Sequence, residues 1–291
     1  MHNNPLHSVS RRNFLACGAT AAVAPSLASA VDLKKTKVWA QLTTGGHPYR
    51  PTFQEMFLDP MFLECEIWPV DHPDVFSNVV TAGYASGNVA APPRGRGAVG
   101  GGATERIEPP DYPWEPSGGR PHPGYDVLVL NDQVDWPEAA RQNAQKAVDL
   151  GKGIVLIHNS LGDNQSWPFW YQEVTGGLLV LDDRDGMKKS TITPSSKVDL
   201  RPAGKHVILR DVGPFTLAKE ECYRGMWQSP KITPVLQTTS AASDKTVVWI
   251  GLHPKARVVC IQPGGTPETH RNHEYRKLVR NAILWAGGHI S

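Results

Sequence analysis

Residues 125–132 read YDVLVLND and residues 151–160 read GKGIVLIHNS. In each, an unbroken apolar run stops abruptly at polar residues. Strands that face water on one side alternate apolar with polar; strands covered on both faces do not, so these two belong inside a parallel sheet. The segment between them reads as a helix over 137–150. Asp135 can cap its start with Glu138 three residues on, Ala144, Ala147 and Val148 give it one apolar face, and Gly151 stops it. Strand–helix–strand with short connections is the parallel crossover unit, so 126–131 and 154–158 are expected to be neighbouring parallel strands.

Working outward, runs rich in β-branched and apolar residues at 37–43, 65–70, 206–210, 235–239, 246–251 and 257–262 read as further strands. Tyr275, Leu278, Val279, Ala282, Ile283 and Ala286 recur at helical spacing; Asn272 can cap that helix and Gly287-Gly288 ends it. The predicted fold is α/β: a doubly wound, mostly parallel sheet flanked by helices. Residues 81–124 break the pattern, dense in Gly and Pro with almost no apolar periodicity, and read as a long irregular insertion. Within it, GRGAVG at 95–100 matches GxGxxG as a string. It follows Pro-Pro-Arg rather than a strand and opens no helix, so it is not read as a dinucleotide site.

Residues 1–30 carry an address. Ser10-Arg11-Arg12-Asn13-Phe14-Leu15 is a twin-arginine export signature, followed by an Ala-rich apolar run and Ala28-Ser29-Ala30, a small-x-small cleavage site. The apolar run is too short for a stable membrane anchor. The expected location is the periplasm or the exterior, with residues 31–291 as a single mature domain and no membrane insertion once the signal is cleaved. The signal holds two of the 30 basic residues and none of the 28 acidic ones, leaving a mature balance of 28 against 28. A neutral chain has no electrostatic footprint for nucleic acid. Cys65, Cys222 and Cys260 show no CxxC spacing and read as buried apolar thiols.

In open α/β sheets ligands bind beyond the carboxyl ends of the strands. The first strand exits into TTGGHPYR with His47; YDVLVLND exits at Asn131-Asp132; GIVLIH exits at His158-Asn159-Ser160; the 257–262 strand exits into PGGTPETH with His270. A single histidine at a strand end is more often a loop anchor than a catalyst, but three among four exits favour a shared site. Glu221 and Tyr223, one residue apart, share one side of an extended segment and combine a carboxylate with a ring, which suits sugar recognition. Trp167 and Trp170 follow His158; Trp167 is read as substrate-facing and Trp170 as packing. His47, His158 and His270-Arg271-Asn272-His273 could together hold a divalent metal, but no tight ligand pair such as HExxH supports one, so neither metal nor cofactor is predicted.

YDVLVLND, the helix, GKGIVLIHNS and WPFWYQEVTGG together resemble the core of the ThuA-like (trehalose utilisation) family, itself similar to the class I glutamine amidotransferase fold. Thr44-Gly45-Gly46-His47-Pro48-Tyr49, Lys205-His206-Val207-Ile208, Pro214-Phe215-Thr216-Leu217, Thr246-Val247-Val248-Trp249 and the closing helix with its Trp-Ala extend the likeness over most of 37–288. Glu220-Glu221-Cys222-Tyr223 stands where the family has Asp-Glu-x-Tyr. There are departures. The family's Gly-His after the last core strand is Gly264-Gly265 here, with His270 as the candidate substitute; a further histidine has no counterpart in 178–184; the 81–124 insertion is long.

The resemblance implies that the strand ending at His158 corresponds to one that, in the amidotransferases, ends on a nucleophilic cysteine. No cysteine stands here, so glutamine hydrolysis is not expected. The resulting expectation is an exported protein acting on or binding a carbohydrate or keto-sugar, with His158, His47 and Glu221 catalytic. Tyr223, Asn131, Asp132, Asn159, Trp167 and His270 are expected to bind substrate. An inert carbohydrate-binding module and a metal-dependent hydrolase are the alternatives, and the sequence leaves homo-oligomerisation open.

Overall fold

The period-two rule dictates where each side chain of a buried strand goes, and here it splits the core in two. Val127, Val129, Val155, Ile157, Val259 and Ile261 fall in one apolar cluster, and Leu128, Leu130, Ile154, Leu156, Val258 and Cys260 in another. Every one of these twelve residues is buried, which is why the runs carry no polar alternation.

A computed structural model describes residues 37–45, 51–71 and 125–291, all within one compact unit, Lys34–Ser291. The elements that matter here are β1 (Val38–Gly45), α1 (Pro51–Met56), β2 (Cys65–Asp71), β3 (Val127–Asp132), α2 (Glu138–Asp149) and β4 (Gly153–Ile157). After β4 come a 3-10 turn, His158–Gly162, a π-helical turn, Trp170–Thr175, and the short β5 (Gly177–Leu178). The chain continues with β6 (Thr191–Pro202), β7 (Phe215–Arg224), β8 (Trp227–Gln228), β9 (Thr233–Gln237), β10 (Thr246–Ile250) and β11 (Val258–Ile261). It closes with α3 (Pro267–Arg271) and α4 (His273–Ala286).

The nine-stranded sheet runs β2-β1-β3-β4-β11-β10-β9-β6-β7. Its first five strands are parallel, with Val127 opposite Gly153 and Leu130 opposite Leu156 across the expected β3–β4 pair. From β11 onward the pairs are antiparallel. α4 packs into the cluster on one face and α2 into that on the other, giving the doubly wound sandwich. Gly153 lets α4 approach closely: a Cβ there would lie 2.6 Å from the carbonyl carbon of Ala286.

Three local readings need correction. Residues 206–210 are not a strand. Val207–Leu209 is a 3-10 turn whose start is capped by the His206 ring, which accepts from Ile208 N at 3.2 Å. Asn281 of α4 donates to the Ile208 and Arg210 carbonyls, so the turn's backbone is satisfied by a helix instead of a sheet neighbour. Asp135 does not cap α2: the N-cap is Pro137, and the Asp135 carboxylate accepts from Ser166 N at 3.3 Å. The β6–β7 hairpin has no counterpart among the expected strands. β6 reads TITPSSKVDLRP and is mostly exposed, so it lacks the apolar signal. The 81–124 insertion lies outside the described residues.

Candidate functional site

The sheet order settles which strand exits meet. β1, β3, β4 and β11 are consecutive, so their carboxyl ends lie side by side on the parallel half of the sheet. At the end of β4 the chain turns on His158, which takes φ +53°. That left-handed conformation costs a non-glycine residue about 1–2 kcal/mol and persists only where the surroundings enforce it. A sharp, strained turn from strand into helix is also the geometry that presents a nucleophile in elbow-type enzymes; here it presents an imidazole.

The imidazole is almost wholly buried, 2% exposed, and both ring nitrogens are engaged. Nδ1 lies 2.8 Å from the Gln262 carbonyl oxygen, which can only accept, so Nδ1 carries a proton. Nε2 lies 2.9 Å from the Tyr223 hydroxyl and 3.3 Å from Glu221 Oε1. The Tyr223 ring is stacked at 4.8 Å on the imidazole, and its hydroxyl also reaches Asn159 Oδ1 at 3.2 Å and Glu221 Oε1 at 3.3 Å. Nε2 is therefore the variable position: neutral, it accepts from the phenol; protonated, it donates to the carboxylate.

Electrostatics favour the protonated form. Burial disfavours a charge on the ring, but the Glu221 hydrogen bond, the Glu220 charge and the Gln262 carbonyl together outweigh it and raise the His158 pKa above its ordinary 6.5. Burial and the neighbouring Glu221 charge push the Tyr223 phenol well above its usual range, so it stays a neutral donor. The Glu221 side chain is 32% exposed and is the member of the trio in contact with solvent.

β7 supplies two carboxylates to opposite sides. Glu221 faces His158 with Tyr223, while Glu220 is buried on the other face. Glu220 accepts from Gly264 N at 3.2 Å, Gly265 N at 3.0 Å, Glu221 N at 2.9 Å and the Thr269 hydroxyl. Burial raises its pKa despite those donors and the nearby His158. Gly265 explains the tight fit from the other direction: a Cβ there would lie 2.8 Å from His158 Cε1. The ring occupies the space that any larger residue at 265 would need.

The other expected site residues that the structure describes take separate places. Asn159 is beside it, bonded to Tyr223. Asn131 and Asp132 are buried at the neighbouring end of β3, and Asp132 is tied to Ser160 through the hydroxyl at 3.1 Å and the backbone N–H at 2.9 Å. His270 is buried in α3, where Nε2 donates to the Gly264 carbonyl at 2.7 Å and Nδ1 accepts from Thr52 at 2.8 Å. It braces the turn behind His158 instead of reaching the trio. Trp167 stacks on Trp170 at 5.7 Å, with the Arg141 guanidinium over its ring, as part of an aromatic cluster with Trp136. His47 lies outside the described residues. Among the described residues no group of three or more His, Cys, Asp or Glu side chains is placed to hold a metal ion.

Two buried acids escaped the sequence reading as a pair. Asp132 and Asp163 interact side chain to side chain, and burial together with the Asp132 charge raises the Asp163 pKa well above the ordinary 3.8. Asp163 also accepts from Val134 N at 2.8 Å, binding the β3 exit loop to the segment after His158. The two residues are 31 apart in sequence, so only a motif joining both strand exits could have signalled them.

The fold and site define an open α/β domain whose strand-edge elbow bears a histidine backed by Glu-x-Tyr. The ThuA family, described as trehalose utilisation, matches residues 123–286, more than half the chain, and the protein belongs to it. Solved structures agree on the fold. A ThuA-like protein from Parabacteroides merdae aligns with TM-score 0.59 at 15% identity, covering 87% of this chain and 90% of that one. A second, from Bacteroides uniformis, aligns with TM-score 0.56 at 13% identity over 86% and 91%. A cytoplasmic protein from Salmonella typhimurium LT2 aligns with TM-score 0.50 at 10% identity over 85% and 99%. No curated protein matches the sequence.

Proposed function

We propose that this ThuA-like protein is exported and acts on a carbohydrate or keto-sugar by acid–base chemistry, with no glutaminase activity. The observation that carries the reading is the His158–Tyr223–Glu221 trio. A buried imidazole with one nitrogen locked as a donor shares its other nitrogen with a phenol and a solvent-facing carboxylate. Such a trio can take a proton from a sugar hydroxyl, or from a carbon beside a carbonyl, at Glu221 and return one from His158 Nε2 or the Tyr223 hydroxyl. Asn159 stands beside it as a polar group for further hydroxyls.

The thiols offer no support for glutamine hydrolysis. Burial pushes Cys222 up to about 11 and Cys65 up to about 12 and raises Cys260 as well, so none is poised as a thiolate. The experiment that tests the reading is a thermal-shift and turnover screen of the full chain against glycosides, keto-sugars and divalent ions. Glu221→Gln should abolish turnover of the best sugar while leaving its thermal shift measurable. A sugar-induced shift without turnover, unchanged in Glu221→Gln, would instead establish an inert binding module. Ammonia release from glutamine that disappears in Cys222→Ala would defeat the reading outright. Cell fractionation checks the export: the Arg11→Lys, Arg12→Lys double variant should remain unprocessed in the cytoplasm.

A further inference from the structure

Glu220 is the buried carboxylate that the acid–base reading leaves without a role. Its two oxygens accept four donors: the Gly264 and Gly265 amides from the turn after β11, the Thr269 hydroxyl from α3 and the Glu221 amide of its own strand. A buried charge is expensive, and a chain that needed only to pin this turn could do so with an amide or a hydroxyl. What sets this carboxylate apart is where the pinned turn lies. Gly265 is packed against the His158 ring so closely that a methyl group there would lie 2.8 Å from Cε1. Gly264, at φ +147°, abuts Ile157 and His158 in the same way.

The turn is held from three directions at once. Thr266 donates to the Lys219 carbonyl at 2.7 Å, His270 donates to the Gly264 carbonyl, and the Tyr275 hydroxyl donates to the Pro263 carbonyl at 2.9 Å. Glu220 is the ionisable acceptor at the centre of that frame. We propose that Glu220 is the positioning residue of the site: it clamps the Gly264-Gly265 turn against the imidazole, fixing His158 on Tyr223 and Glu221, and places a second negative charge beside the ring.

The neighbouring titratable groups are consistent with this. His158 faces Glu221 and Tyr223 from β7 and Glu220 from behind the turn. Glu220 in turn faces Cys222 of its own strand, Thr269 of α3 and Tyr275 of α4, and its charge helps to raise the phenols of Tyr275 and, across the strand, Tyr223. The His158 charge lowers the Glu220 pKa and the Glu220 charge raises that of His158, so the two support each other's charged forms. The role rests on His158 being the acid–base centre, yet it can be read without any substrate.

The test is histidine NMR of the full chain labelled with nitrogen-15 at histidine, with the His158 signals assigned by their loss in His158→Asn. In Glu220→Gln the His158 titration midpoint should fall by about one pH unit. Glu220→Asp, which keeps the charge on a shorter arm, should recover part of that fall. An unchanged midpoint in folded Glu220→Gln overturns the proposal, because a merely structural anchor would not move it. If Glu220→Gln does not fold, Thr269→Val decides. It removes one donor to the carboxylate at nearly constant volume and should lower the midpoint in the same direction, and no movement there is equally fatal. A lowered midpoint in a chain that answers to no sugar would leave the positioning role standing and defeat the acid–base reading instead.

Discussion

At the scale of the residue, His158 carries three burdens at once: a strained backbone, near-complete burial and a shared Nε2. Its truncation must therefore cost stability. His158→Ala leaves the Gln262 carbonyl without its donor and is expected to lose about 1–3 kcal/mol in chemical denaturation. His206→Ala is the matched control. It removes the ring that caps the 207–209 turn and packs on Trp285, and should cost about 1 kcal/mol by analogy with other lost caps. The two variants should part on ligand: the sugar-induced thermal shift survives in His206→Ala and vanishes in His158→Ala. A retained shift in both would remove His158 from the site. His158→Asn sharpens the comparison, since Asn tolerates the left-handed conformation that imidazole adopts under strain.

At the scale of the element, the site is assembled where a parallel crossover meets an antiparallel hairpin. β4 delivers His158, and β7 delivers Glu221 and Tyr223 on one side and Glu220 on the other by simple alternation. The two strands are far apart in the sheet order, so the β11 turn and α3 bridge them. The packing that places β4 is itself sensitive. Gly153→Ala would drive a methyl group into the backbone of Ala286 at the end of α4, and neither backbone can step aside cheaply. Overpacking of that kind costs about 1–3 kcal/mol. For a domain this size it should lower the melting temperature by roughly 2–4 °C per kcal/mol, measured by calorimetry. A melting temperature equal to wild type would show that α4 does not press on β4 as closely as described.

At the scale of the whole molecule, three buried groups, His158, Glu220 and Asp163, all hold their protons more tightly folded than unfolded. Stability from such groups is complete below the unfolded pKa and is lost as pH rises through the folded one. The ordinary values are 6.5, 4.5 and 3.8, so the losses begin in the acid range for the two carboxyls and near neutrality for His158. Asp59 and Glu274 are lowered by their hydrogen bonds and ion pairs and work the other way, losing stability as pH falls below their ordinary range. His206 and His253, kept neutral chiefly by burial, lose theirs as pH drops below 6.5. The melting temperature is therefore expected to fall as pH climbs above 6.5. Asp163→Asn keeps an acceptor for Val134 N and removes the acid, so it should flatten the profile at little cost in stability. A melting temperature that rises across the same window would reverse the assigned direction for His158.

By itself the sequence determined the parallel half of this protein. Continuous apolar runs such as DVLVL and GIVLI, the crossover between them and the closing helix follow from local periodicity, and burial on both sheet faces leaves that periodicity no alternative. It also determined that His158 stands at a strand end with Glu221 and Tyr223 on a common side. The tertiary structure decided which of the polar residues meet. His158 and Tyr223 are 65 residues apart, and Glu220 reaches Gly265 across 45. β6 and β7 were invisible as a pair because β6 is mostly exposed and keeps few apolar residues to mark it. His270 was legible only as a polar residue in an exit loop; the tertiary structure places its ring on the buried Gly264 carbonyl. Local pattern reports how much of a strand is buried; what a polar side chain does at its end depends on partners that only chain closure brings within hydrogen-bonding distance.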